Sequence, residues 1–167
     1  MHTAATLTGM VAIVLFGVWG ALLMSSWVIV AASGMPLTAS IDAMEAANQP
    51  YSVLPGLLFA ALGVVLGFAW VWLMWSPRVA VPARAGFSLW AAIIALGGPA
   101  YFFASFGNIN SVGDTFYGWD PTAAFAFQAP LYLVSAVAAV NAVGAPLCGP
   151  FLHLSPARRT QASSSSS

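Results

Sequence analysis

Four long stretches without a charge constrain this chain more than any other feature. Residues about 8–32, 53–75, 86–106 and 121–147 contain no Asp, Glu, Lys, Arg or His. Each supplies the roughly 20 apolar residues that an α-helix needs to cross the hydrocarbon of a bilayer. A membrane β-barrel would instead need short segments that alternate in polarity, and runs such as Gly56-Leu57-Leu58-Phe59-Ala60-Ala61-Leu62 do not alternate. The expected fold is therefore all-α: an integral membrane four-helix bundle over residues 1–154, followed by a mobile, Ser-rich cytoplasmic tail at 155–167.

Composition excludes the main alternatives. Charged residues make up 5% of the chain, against about 25% in a soluble domain. The basic residues are Arg78, Arg84, Arg158 and Arg159, with no lysine, so the basic stripe that neutralises nucleic-acid phosphates is missing. The single cysteine, Cys148, allows neither an internal disulfide nor a CxxC site. The first apolar stretch is longer than the 7–15 residues usual in a secretory signal and no Lys or Arg precedes it, so it reads as a permanent helix. The alanine-rich, lysine-free composition suggests a bacterial, GC-rich coding bias, and hence a multi-pass protein of the bacterial cytoplasmic (inner) membrane.

Charge also sets an expected orientation. All four arginines lie in the second connection or the C-terminal tail, and all four acids, Asp42, Glu45, Asp114 and Asp120, lie in the first and third connections. Positive residues are retained in the cytoplasm, which places both termini there and the acidic loops outside. Trp70, Trp72 and Trp75 at the inner end of the second span suit an interfacial aromatic belt. Within the first outer loop Leu37, Ile41 and Met44 recur at helical spacing while Asp42, Glu45 and Asn48 point elsewhere, the pattern of a short amphipathic helix lying in the interface or capping the bundle. Asp120-Pro121 reads as an N-cap followed by proline at the first helical position.

Few residues suggest chemistry. An ionisable group inside a span would mark a proton or ion path, and none is present. His2 and His153 both sit near the cytoplasmic ends, too far from the bundle centre to ligate a haem there. No HExxH motif or Cys/His cluster occurs. No catalytic residue, metal ligand or cofactor ligand is therefore assigned, and bound lipid is the expected small-molecule companion.

Two sets of residues stand out as candidate sites. Gly56, Ala60, Gly63 and Gly67 put a small residue at every third or fourth position of the second span, which lets another backbone approach. The occupant of that face is either the first helix or another subunit. In the outer half, Gly97-Gly98-Pro99 and Pro130 weaken two helical ladders. Splaying there would open a cavity bordered by Ser105, Tyr117, Trp119 and Gln128. Ser25, Ser26, Ser135 and Asn141 either line a pathway or hydrogen-bond between helices.

The expected function is that of a non-catalytic structural or accessory subunit in a larger bacterial membrane complex, such as a respiratory or other membrane oxidoreductase. Its partners would be membrane lipids, other membrane subunits or further copies of itself. The alternatives are a small oligomeric transporter or channel, and a lipid-binding or lipid-modifying membrane protein.

Overall fold

The computed structural model describes residues 2–79 and 81–147, with side chains from Thr3 to Gly144. The expected tail at 155–167, and His153 and Cys148, lie outside the described residues. The described chain is helical: α1 (His2–Leu22), a π-helical turn (Leu23–Trp27), α2 (Val28–Ser33), α3 (Leu37–Ala46), α4 (Leu54–Trp75), α5 (Ala83–Thr115) and α6 (Pro121–Leu147). The α1–π–α2 unit, α4, α5 and α6 are each long and apolar enough to cross a membrane.

Two antiparallel pairs make the bundle, α1 with α4 and α5 with α6. The first span serves both, because after the π turn its second half, α2, packs mainly on α6. One aromatic ring from each span joins at the centre. Phe16 meets Phe59 at 6.4 Å, Phe59 meets Tyr101 edge-on at 6.2 Å, and Tyr101 meets Tyr132 edge-on at 5.7 Å. Trp70 and Trp90 donate their indole N–H groups to the Thr6 and Gly9 carbonyls of α1, at 3.0 and 3.1 Å. Trp70 is thus a core residue rather than part of an interfacial belt, whereas Trp72 and Trp75 are exposed.

Helix ends are closed locally. Gly34 terminates α2 in the left-handed conformation, φ 68°, where a residue without Cβ carries no penalty. Asn48, φ 57°, plays the same part after α3: its N–H reaches the Glu45 carbonyl and the Gln49 N–H reaches the Met44 carbonyl. On α3, Ser40 and Met44 are wholly buried, so this helix lies against the bundle. Asp120 Oδ1 accepts from the N–H groups of Thr122 and Ala123, both at 2.9 Å, capping α6 ahead of its proline.

The third span departs from its expected bounds. Instead of ending near residue 106, α5 continues for about two and a half further turns to Thr115, leaving only 116–120 as connection. Gly107, Asn108, Asn110 and Gly113 favour a loop by propensity, but tertiary bonds override that weak preference. Asn108 Nδ2 donates to the Met24 and Ser52 carbonyls at 3.1 and 2.9 Å, and its Oδ1 accepts from the Ser52 N–H at 3.1 Å. Ser111 Oγ donates to the Pro50 carbonyl at 2.6 Å. The same end is closed by the Asp120 N–H bonded to the Ala32 carbonyl at 2.8 Å. The first and third connections therefore meet at one end of the bundle.

Two backbone defects are each patched from another element. Pro99 has no N–H for the Ala95 carbonyl four residues earlier. Ser135 of α6, 4% exposed, fills the gap: its hydroxyl accepts from the Gly98 N–H at 3.0 Å and faces the Ala95 and Ile94 carbonyls at 2.5 and 3.1 Å. In the π turn the Met24 carbonyl takes its proton from Asn108, and the Ser25 carbonyl takes one from the Tyr51 hydroxyl at 2.7 Å. Ser25 and Ser26 return their own hydroxyls to the carbonyls four residues back, a habit that bends helices.

Replacing Ser135 by Ala should cost about 1–3 kcal/mol, because it strands two backbone groups in an apolar interior. Replacing Pro99 by Ala restores the N–H of the ladder, so the Ser135→Ala penalty should shrink in that background. Reversible unfolding in mixed micelles, arranged as a double-mutant cycle, measures the difference; equal penalties in both backgrounds would refute the patch. Tyr51 gives a second expectation. Burial raises its phenol above the ordinary value of 10.0, so the fold favours the neutral, donating form. Its contribution is intact below about pH 10 and is lost as pH rises through the higher folded value. Stability of the native chain should consequently fall more steeply above pH 10 than that of Tyr51→Phe.

Candidate functional site

The small-residue stripe of α4 is filled from within. Gly63 faces Gly17 so closely that a Cβ on Gly63 would sit 3.0 Å from the Gly17 Cα and 3.4 Å from the Ile13 carbonyl oxygen. A Cβ on Gly56 would meet the Ala21 carbonyl at 3.2 Å, and one on Gly67 would meet Val14 and Met10. The Ala60 carbonyl borders the same seam, 3.6 Å from where a Gly17 Cβ would lie. Gly56, Ala60, Gly63 and Gly67 are therefore not a face open to another subunit. Helix α1 occupies it, since Gly17 on α1 supplies the matching gap.

The cavity expected between the third and fourth spans exists with a changed membership. A cleft of about 400 Å³ lies between the second half of α5 and the first turns of α6, and Ser105, Trp119 and Gln128 line it. Tyr117 does not: it is fully exposed in the 116–120 connection, because α5 runs past the position where a long loop would have folded it inward. The aromatic walls are Phe102, Phe106, Phe125 and Tyr132, which hydropathy alone could not separate from the lipid-facing rings. Phe125 and Tyr132 stand nearly parallel, 20° between planes and 6.5 Å between centroids.

The polar groups of the cleft are neutral. Gln128 is 7% exposed; its Oε1 accepts a long bond of 3.5 Å from the Tyr132 hydroxyl, and its Nε2 has no partner among the described residues. Ser105, also buried, turns its proton to the Phe102 carbonyl at 3.1 Å. One turn before it on α5, Tyr101 is completely buried, and its hydroxyl sits beside Ser105 without a formed hydrogen bond. Buried polar atoms left in that condition are uncommon in native proteins. No charged residue lines the cleft; Asp120 adjoins it in sequence through Trp119 and Pro121. Such a site can hold and orient an acceptor-bearing apolar molecule.

The remaining polar residues serve the scaffold. Ser25, Ser26 and Ser135 bond backbone carbonyls as described, and Asn141 Nδ2 returns to the Val137 carbonyl at 2.8 Å on an exposed face. Among the described residues no three His, Cys, Asp or Glu side chains gather as a metal group. A second cavity of about 220 Å³, bordered by Ile13, Phe16, Phe59 and Ile94, is almost wholly apolar.

Gly63→Leu should disrupt the α1–α4 seam and destabilise the isolated chain by at least about 1–3 kcal/mol, whereas Ala61→Leu, on the exposed side of α4, should stay within about 0.5 kcal/mol. Unfolding in detergent distinguishes them, and a Gly63→Leu chain of native stability would reopen the face to an external partner. Comparison with protein-family models, with curated proteins and with solved structures gives no match for this chain.

Proposed function

We propose that this protein is a non-catalytic subunit of a larger bacterial membrane assembly, such as a membrane oxidoreductase, that seals and positions neighbouring subunits. Both termini lie in the cytoplasm and the acidic connections lie outside, on the strength of the arginine bias. The observation that carries the role is the fate of the polar side chains. Ser25, Ser26, Asn108, Ser111 and Ser135 are committed to backbone groups of the bundle, and the centre is an aromatic file.

Transport needs a polar path and usually leaves ionisable residues deep in the spans; among the described residues Arg84 and Asp114 lie only near the two ends of α5 and no Asp, Glu, Lys, Arg or His lies deeper in a span, which favours the structural reading over a channel. With the glycine stripe consumed internally, docking falls to the outward apolar faces, where Leu96 and Phe103 on α5 and Trp72 on α4 are 70%, 77% and 71% exposed. Those residues face lipid where no subunit covers them.

The test is extraction of native membranes in mild detergent, native sizing and mass spectrometry of what comigrates. A large assembly with stoichiometric partners is expected, and Phe103→Ala should loosen it without changing the stability of the isolated chain by more than about 0.5 kcal/mol. A chain that migrates alone or as a small homo-oligomer would refute the subunit reading.

A further inference from the structure

We infer that the α5–α6 cleft is a binding site for a neutral membrane amphiphile that presents a carbonyl oxygen on a flat ring, a quinone-type head, with Gln128 as the carbonyl's donor. Gln128 is more than nine-tenths buried, lines the cleft, and keeps both Nε2 protons without an acceptor among the described residues. The Nε2 is reached from the cleft rather than sealed in the core, and an amide facing hydrocarbon loses free energy unless a partner arrives. The partner must be an acceptor. Trp119 Nε1, also without a partner among the described residues, adds a second donor to the same wall.

The walls select shape and charge. Phe125 and Tyr132 present near-parallel rings, a surface on which a planar group stacks with more contact than a flexible acyl chain. No cation lines the site, and the arginines Arg78 and Arg84 lie at the other end of α5. The nearest sequence charge, Asp120, is negative and next to two lining residues, so the phosphate of an anionic phospholipid would meet repulsion rather than a counter-charge. The volume of about 400 Å³ falls within the range of small-molecule sites.

Depth agrees with a ring lacking a charged headgroup. Gln128 lies eight residues into the span from Asp120, about 12 Å along a helix at roughly 1.5 Å per residue. Headgroup layers occupy only about 5–8 Å at each face of a bilayer. With the Asp120 carboxylate at the water boundary, the amide sits just below the headgroups. A neutral ring rests at that level, and its apolar tail leaves between α5 and α6 into the acyl chains.

The experiment is a titration of the purified full chain in dodecylmaltoside with 2-methyl-1,4-naphthoquinone, read by quenching of tryptophan fluorescence. Saturable quenching is expected, with Trp119→Phe removing the largest share of its amplitude. Gln128→Met, which keeps the volume and removes the donor, should weaken binding about fivefold. Native sizing and melting establish that each variant is folded; if Gln128→Met is not, the loss of quenching amplitude in Trp119→Phe decides the location. Quenching that rises linearly without saturation, or unchanged affinity in Gln128→Met, would overturn the assignment. Dioleoylphosphatidylglycerol added to the same titration should not compete. If it displaces the quinone, and does so less readily from Gln128→Met, the site belongs to a lipid ester carbonyl and the ring assignment fails.

Discussion

Inside a bilayer no water is available to a backbone N–H or C=O, so each must find a protein partner. Much of the bundle can be understood from two of the places where its helices fail that requirement alone. At Pro99 the missing donor is replaced by the Ser135 hydroxyl, and at the π turn the Met24 and Ser25 carbonyls are met by Asn108 and Tyr51. Each repair crosses between elements, so it fixes register as well as satisfying a group. Ser135 holds α6 at one height against α5. Asn108 ties α5 simultaneously to the first span and to the segment before α4. A hydroxyl or amide in hydrocarbon without such a duty is a burden, and among the described residues the Ser88 and Tyr101 hydroxyls are enclosed without one.

Seen this way, the Gln128 amide is conspicuous. Ser135, Ser111 and Asn108 bond backbone groups of other elements, while Gln128 meets only a long contact from Tyr132 of its own helix. The difference distinguishes a scaffold amide from one directed at a cleft, and burial alone would not have revealed it. Binding there and service in a larger assembly are compatible, since the cleft occupies one seam of the bundle and leaves other apolar faces free.

Hydropathy made the four spans legible because the cost of a charge in lipid leaves long uncharged runs behind. The cap at Asp120 was legible too, being a matter of three consecutive residues. The upper part of α5 was not: Asn108 and Ser111 look like loop residues until their partners Ser52 and Pro50, more than fifty positions away, are brought alongside. Periodicity showed that Gly63 invites a backbone but could not name it, since Gly17 on α1 is an equally ordinary glycine. Trp70 and Trp72 are indistinguishable as letters; their separation into core and surface follows from a 100° step per residue about the axis of α4. Ser105, Trp119 and Gln128 were reachable from the two prolines, whereas Tyr117 depended on a loop that the longer helix removes.

The π turn has a mechanical meaning. Ahead of Leu23 the first span lies along α4, and beyond Trp27 it lies along α6, so a single rod is clamped at its two ends by different halves of the molecule. A twist of the α5–α6 half relative to the α1–α4 half would load these five residues, whose hydrogen-bond ring is already widened. The Asn108 and Tyr51 bonds brace the rod at that point against torsion.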